Sequence, residues 1–156
     1  MQTTIATAVT FVGTGLHSGQ DARLVLRPAD AGHGIVFRRM DVIGQDADIP
    51  ALWDRVILSP LNTRIQNAAD VSVSTIEHVM AALAGCGIHN VLVELSGPEV
   101  PILDGSAAPF VAGIVARGVR RLPAPIRAVR ILKPVEVRDG EAIARFDPSN
   151  GFEIDF

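Results

Sequence analysis

The pattern of hydrophobic and polar positions in the first third of the chain predicts β-strands. Residues 5–12 are rich in Thr, Val and Ile, and a glycine-containing segment at 13–15 interrupts them. Residues 22–26 alternate between an apolar face and a face that carries arginines, which is the period of a half-buried strand. Residues 34–40 predict a partner for that strand, joined to it through a loop at 29–33.

Start and stop signals predict two helices. Residues 74–77 have the S-x-x-E form of a capping box, and apolar residues then recur at helical spacing until two glycines end the helix. A second helix is predicted from Ser106 to about Arg117. Pro109 falls in its first turn, where proline is tolerated, and Gly118 ends it.

Further strands are predicted in the middle and at the end of the chain. The middle candidates are 54–58, 63–66 and 90–96. Near the end, residues 129–137 and 142–146 flank Asp139-Gly140, a hairpin signal. Residues 151–156 begin another alternating strand.

These elements predict an α+β fold. We expect residues 1–121 to form a two-layer sandwich of a mainly antiparallel sheet with two helices. Residues 122–125, with two prolines, are typical of a linker. Residues 126–156 are then predicted to form a short β-hairpin extension. This extension would be the start of an incomplete second domain and would contain only β-strands.

Composition excludes several classes of protein. The chain is 48% hydrophobic and 20% charged, so it is not a disordered segment. The net charge of -3 and the scattered basic residues do not indicate nucleic-acid binding. The single cysteine, Cys86, excludes an internal disulfide. No apolar stretch is long enough to span a membrane and the start lacks a signal peptide, so we expect a cytoplasmic protein.

Glu77 and His78 are the strongest candidates for chemistry. A hydrolytic zinc site needs imidazole ligands and a carboxylate that takes a proton from the metal-bound water. Adjacent residues on a helix point about 100° apart, so one can bind the metal while the other reaches its water. Glu77 has an alternative role as the capping partner of Ser74, and the residue pair alone leaves both roles open.

The other residues do not complete a zinc site in an obvious way. His78 and His89 are separated by a helix, which places them more than roughly 10 Å apart. His17 follows a glycine-dense loop at 13–19, which is either a tight turn or a loop that approaches a ligand. Asp104 lies in an Asp-Gly pair, which is more typical of a turn than of a metal ligand.

Three segments, taken in order, resemble motifs of the zinc-dependent UDP-3-O-acyl-N-acetylglucosamine deacetylase family. Residues 14–19 resemble its loop TG-x-GLH-[ST]-G, in a shortened or shifted form. Residues 74–85 resemble its helix ST-x-EH-x-x-AAL-x-G, and residues 101–110 resemble its segment P-I-[LM]-DGSA-x-PF. The resemblance covers nearly the whole chain and indicates the family's first domain and the start of its second.

The resemblance implies an activity and a set of site residues. The family hydrolyses the acetamide of UDP-3-O-(3-hydroxyacyl)-N-acetylglucosamine, a nucleotide-sugar acyl glycolipid precursor, in lipid A biosynthesis. Its active site lies between two similar α+β domains. By resemblance, Glu77 is the general base and His78 is one of three zinc ligands. Leu16 and His17 border the substrate cleft.

Two departures from the family pattern qualify this expectation. No H-K-x-x-D motif, which carries the other two zinc ligands, occurs in the chain, and His89 stands where the family usually has Asp. We therefore expect 156 residues to supply part of an active site, with weak zinc binding and little turnover. The alternative is a non-catalytic homologue of the first domain that acts as a binding or regulatory module. Unpartnered strands in residues 126–156 also predict a homodimer.

Overall fold

The computed structural model describes residues 1–155, which form two compact units. The first unit is Met1–Pro125, and the second begins at Ile126. The strands are β1 (Thr3–Ile5), β2 (Val9–Thr14), β3 (Asp21–Pro28), β4 (Ile35–Arg39), β5 (Asp48–Pro50), β6 (Val56–Ile57), β7 (Arg64–Gln66), β8 (Ser72–Ser74), β9 (Val91–Leu95), β10 (Val119–Arg121), β11 (Val135–Asp139) and β12 (Ala142–Phe146). The α-helices are α1 (Glu77–Gly85) and α2 (Ala108–Arg117).

The first unit is an α+β sandwich built on a five-stranded sheet, as predicted. The sheet order is β2-β3-β9-β4-β5, and every neighbouring pair is antiparallel except β4 and β9. The prediction that β3 and β4 are partners is wrong, because β9 lies between them. Strand β9 is the most apolar of the five, and Val91, Val93 and Leu95 are fully buried, so the central position removes the most apolar surface from water.

The predicted strand at 5–12 is two strands that serve different sheets. β1 pairs with β10, which follows α2 and was not predicted, and β2 pairs with β3. Ile5 lies opposite Val119, whereas Val9 lies opposite Leu26. The chain therefore bends at residues 6–8, and no change in hydrophobic pattern marks that bend.

A small three-stranded sheet, in the order β6-β7-β8, lies before α1. The predicted strand at 63–66 is confirmed as β7. The predicted strand at 54–58 is wrong in its first half, because Trp53–Arg55 form one turn of 3-10 helix and only Val56–Ile57 pair with β7. Strand β8 carries the chain directly toward α1.

Both helices form where they were predicted, but their starts differ. No side chain caps α1, and Ser74 is the last residue of β8. The predicted capping box is therefore wrong, because pairing with neighbouring strands takes Ser74 out of reach. At α2, Pro109 lies in the first turn, and the Ser106 hydroxyl accepts the Ala108 N–H at 3.1 Å.

Helix α2 packs against the sheet through a close contact with β2. The rings of Phe11 and Phe110 lie 4.9 Å apart between centroids, at a tilt of 59°. A Cβ atom added to Gly113 would lie 2.5 Å from Cζ of Phe11, so only glycine allows this approach. Val79, Ala82 and Leu83 bury the corresponding face of α1.

The second unit contains the predicted hairpin of β11 and β12. Val135 lies opposite Phe146 and Val137 opposite Ala144, so these four side chains share one face. The first hairpin strand begins at Val135 rather than at 129. Residues 151–155 form no strand, so the strand predicted at 151–156 is not found in its described part, and residue 156 lies outside the described residues. Within residues 1–155, no helix is long and apolar enough to cross a membrane.

Candidate active site

Glu77 is the first residue of α1, and its carboxylate is held from one side. Its Oε2 accepts the backbone N–H of Thr63 at 3.1 Å, and the side chain is half-buried. Ser74 instead donates its hydroxyl to the Pro98 carbonyl at 3.2 Å. Within residues 1–155, Oε1 of Glu77 has no hydrogen-bond partner. One carboxylate oxygen is therefore fixed, and the other can bind a proton or a water.

An apolar cavity of about 270 Å³ opens beside Glu77. Glu77 is its one charged lining residue, and Thr63, which binds the Glu77 carboxylate, also lines it. The rest of the lining is apolar: Ala51, Leu52, Trp53, Val56, Ile65, Ile76 and Met80. Trp53 lines the cavity although the residue is 89% exposed. A site of this kind, apolar with few polar groups, is typical of ligand pockets.

His78 is a half-buried imidazole on the second residue of α1. Within residues 1–155, no three His, Cys, Asp or Glu side chains come together as a metal site. A hydrolytic zinc centre uses three protein ligands. The described residues therefore do not fit a complete zinc centre, and His78 is a single imidazole without two further candidate ligands beside it.

Leu16 and His17 lie in the exposed turn after β2. Leu16 is 60% exposed, and the turn closes through hydrogen bonds between the main chains of Gly15, Gly19 and Gln20. This turn is the glycine-dense loop predicted from the sequence. Its own backbone points inward, because the His17 N–H donates to Glu99 Oε1 at 3.0 Å.

Glu99 is a buried carboxylate that joins this turn to the start of α1. Its side chain accepts the N–H groups of His17 and Ser18, the latter at 2.8 Å, and the hydroxyl of Thr75, also at 2.8 Å. The residue is 2% exposed. Thr75 stands two positions before Glu77 in the sequence, so Glu99 connects the two segments that carry the predicted site residues.

The hydrogen bonds decide the charge state of Glu99. Burial raises the pKa of this carboxyl, but donation from the His17 backbone, from Ser18 and from the Thr75 hydroxyl outweighs burial and lowers the pKa to about 2. Glu99 is therefore ionised at neutral pH. Within residues 1–155, it forms no salt bridge, so backbone and hydroxyl dipoles stabilise its charge.

The other candidates from the sequence have local contacts. Asp104 accepts both the N–H and the hydroxyl of Ser106 at 2.9 Å, which is a turn, as its sequence indicates. His89 lies between α1 and β9, and its Nδ1 is 2.8 Å from the Thr3 hydroxyl. The His89 ring therefore connects this loop to β1.

Comparison with known proteins assigns the chain to a family. The family model described as LpxC: UDP-3-O-acyl N-acetylglycosamine deacetylase matches residues 2–156. The chain belongs to this family. The LpxC resemblance of the three motifs is thereby confirmed over essentially the whole chain.

Individual LpxC relatives also align with nearly the whole of this chain. A UDP-3-O-acyl-N-acetylglucosamine deacetylase of Anaeromyxobacter sp. (strain Fw109-5) is 50% identical over 155 residues, which are 99% of this chain and 50% of that protein. Proteins of the same name from Vibrio cholerae serotype O1 (strain M66-2) and Phenylobacterium zucineum (strain HLK1) are each 47% identical, with 50% and 53% of their lengths covered and 99% of this chain. The chain spans about half the length of the curated relatives it matches.

Sequence reasoning missed Glu99, Thr75 and Thr63, which surround the predicted site residues of this LpxC chain. Glu99 is an acidic residue between two prolines at 98 and 101, and that unusual setting is the one signal that could have indicated it. Thr75 lies inside the S-x-x-E pattern at 74–77, which predicts a helix cap rather than a contact with Glu99. The role of Thr63 is a backbone N–H, which no side-chain pattern reveals.

Proposed function

We propose that this chain contributes the general base, Glu77, and one zinc ligand, His78, to the deacetylation of UDP-3-O-(3-hydroxyacyl)-N-acetylglucosamine in lipid A biosynthesis. The geometry of Glu77 is the observation that carries the proposal. Its carboxylate is anchored through Oε2 by Thr63, while Oε1 stays open beside an apolar cavity. Membership of the LpxC family and the names of the relatives support the substrate class.

In this proposal Glu77 accepts a proton from the water that attacks the acetamide carbon. An anchored carboxylate suits that role because a general base must lie within hydrogen-bond reach of the proton it takes. The Thr63 N–H holds one oxygen of the carboxylate at 3.1 Å and leaves the other oxygen for the water. His78 supplies one imidazole, and the remaining zinc ligands would come from outside residues 1–155.

The substrate would also contact the turn after β2. Leu16 and His17 are proposed to border the cleft, and their exposure after β2 leaves both side chains free to touch a ligand.

We also propose a cytoplasmic site of action. The cytoplasm is a reducing compartment, in which Cys86 would stay a free thiol.

Substitution of Glu77 tests the catalytic role. We expect Glu77→Gln, in the protein made from the complete reading frame, to lower kcat for acetate release by roughly 10²- to 10⁴-fold, with zinc content unchanged. Glu141→Gln, the same change at an exposed residue, serves as the matched control. Unchanged kcat in Glu77→Gln would rule out the role of general base.

Zinc titration tests the proposal that this chain supplies only one of the three zinc ligands. We expect the 156-residue chain to bind zinc weakly in calorimetry, and His78→Ala to remove the binding that remains. A tight one-to-one site in a monomer of this chain would refute the proposal that it supplies one ligand of three. The same result would require other described residues to move together around the ion.

We further propose that the hairpin of β11 and β12 self-associates. Its apolar face includes Val137 and Phe146, which are 67% and 66% exposed. The opposite face carries Glu136 and Arg138, which pair with each other. A two-stranded hairpin with one apolar face is marginal in water by itself, so pairing with a second copy would stabilise it.

A further inference from the structure

We propose that Glu99 is a positioning residue that fixes the Leu16–His17 turn against the start of α1. This inference rests on the proposed function, because the two segments it joins carry the proposed substrate-binding and catalytic residues. Glu99 itself is 2% exposed and touches neither Glu77 nor His78 through a hydrogen bond. It would therefore act through its neighbours rather than on the substrate.

The carboxylate divides its hydrogen bonds between the two segments. From the turn, His17 donates to Oε1 at 3.0 Å and Ser18 donates to Oε2 at 2.8 Å. From the segment before α1, the Thr75 hydroxyl donates to Oε1 at 2.8 Å. The His17 N–H and the Thr75 hydroxyl thus meet at a single oxygen. A buried carboxylate needs all such donors, so neither segment can move away without leaving charge unsatisfied.

The backbone at Thr75 shows that this arrangement constrains the start of the helix. Thr75 has a φ of 59°, which is rare for a β-branched residue. Such a conformation persists where the surroundings over-determine it. Here the Thr75 hydroxyl is bound by Glu99, and the preceding residue, Ser74, bonds through its backbone to Pro98 and Val100 on both sides of Glu99. These contacts set the direction in which α1 begins.

The turn approaches Glu99 so closely that it requires a glycine. A Cβ atom on Gly15 would clash with Ser18 Oγ and would lie 2.5 Å from Glu99 Oε2, so it would disturb both partners of the Ser18–Glu99 hydrogen bond. Gly97, two residues before Glu99, has no atom within 4 Å of its added Cβ. Gly15→Ala and Gly97→Ala are therefore a matched pair, of which only the first should disturb the carboxylate.

Amide hydrogen exchange in the full chain tests the connection directly. We expect Glu99→Gln to speed exchange at the His17 and Ser18 amides by roughly 10- to 100-fold, the range of a lost hydrogen bond to a charged group. The amide of Leu24 in the central sheet should change far less. Gly15→Ala should reproduce the effect on the turn, and Gly97→Ala should not.

A pair of substitutions at Thr75 tests whether a change before α1 alters the protection of the amides in the Leu16–His17 turn. Thr75→Ala removes the hydroxyl and should speed exchange at His17, which lies across the carboxylate, whereas Thr75→Ser keeps the hydroxyl and should preserve protection. A role confined to local packing would leave His17 unchanged in both variants. Unchanged exchange at His17 and Ser18 in Glu99→Gln would overturn the inference.

Kinetics of the protein from the complete reading frame separate this inference from the proposed function. We expect Glu99→Gln to lower kcat/KM about 10- to 100-fold with zinc content unchanged, as small displacements of positioned groups do. An inactive wild-type protein would refute the proposed function, and the exchange result would still decide the role of Glu99. An active protein in which Glu99→Gln keeps full kcat/KM would refute the positioning role.

Discussion

Replacing Glu99 by Gln should remove a defined part of the acid sensitivity of the fold. Glu99 has its pKa lowered from 4.5 to about 2 in the folded chain. Between these two values the unfolded chain binds more protons than the folded chain. By linkage, stability therefore rises with pH across this window. The contribution of ionised Glu99 is fully present above about pH 4.5 and is lost as the pH falls through about 2.

The magnitude follows from the same pKa values. A fall from 4.5 to about 2 corresponds to about 3 kcal/mol of folding free energy at neutral pH. Glutamine keeps one acceptor oxygen, but its amide NH₂ faces the donors from Ser18 or Thr75. We therefore expect Glu99→Gln to lower the free energy of unfolding by about 2 to 3 kcal/mol at pH 7, and by much less near pH 2.

Urea unfolding of the wild-type chain and of Glu99→Gln measures this difference in the free energy of unfolding. The unfolding is followed by far-UV circular dichroism at several pH values from 7 to 2. Other carboxyls also have lowered pKa values, such as Asp48 beside Arg38 and Asp41 beside Arg39. Their acid sensitivity is common to both proteins and cancels in the difference. A difference in stability that stays constant from pH 5 to pH 2 would refute the charge state and hydrogen bonding described for Glu99.

Two further predictions concern packing and assembly. Gly113→Ala should destabilise the chain by roughly 1 to 3 kcal/mol in urea unfolding, because its methyl group would meet the Phe11 ring. Gly85→Ala, in the other helix and with open space around it, should be neutral or slightly stabilising, and equal losses in both would contradict this packing. If the hairpin self-associates as proposed, sedimentation velocity should detect a dimer that Val137→Lys abolishes. A monomer at high concentration would count against the dimer.

The sequence predicted those elements whose signals are local. Helix α2 was predicted to within two residues at its start, because Ser106 and Pro109 mark that start and Gly118 marks its end. The hairpin of β11 and β12 was predicted from Asp139-Gly140. In each case the deciding interactions join residues a few positions apart, so the pattern of the chain contains them.

The predictions from sequence are wrong where residues distant along the chain form the hydrogen bonds that neighbouring residues were expected to form. The S-x-x-E pattern at 74–77 favours a capping box, but strand pairing takes Ser74 away from Glu77. The adjacency of β3 and β4 along the chain favoured a hairpin, but β9, some 50 residues later, lies between them. Local preferences of a few tenths to about 1 kcal/mol yield to the burial of whole strands.

The sequence by itself determined the family, the α+β class and the adjacency of Glu77 and His78 on one helix, because these depend on residue identity and short spacing. Only the tertiary structure revealed what holds the candidate site together. Thr63 is 14 residues from Glu77, and Glu99 is 82 residues from His17. A hydrogen bond to a buried carboxylate depends on which backbone groups the fold brings next to it. The periodicity of hydrophobic residues along the chain contains no information about such distant partners.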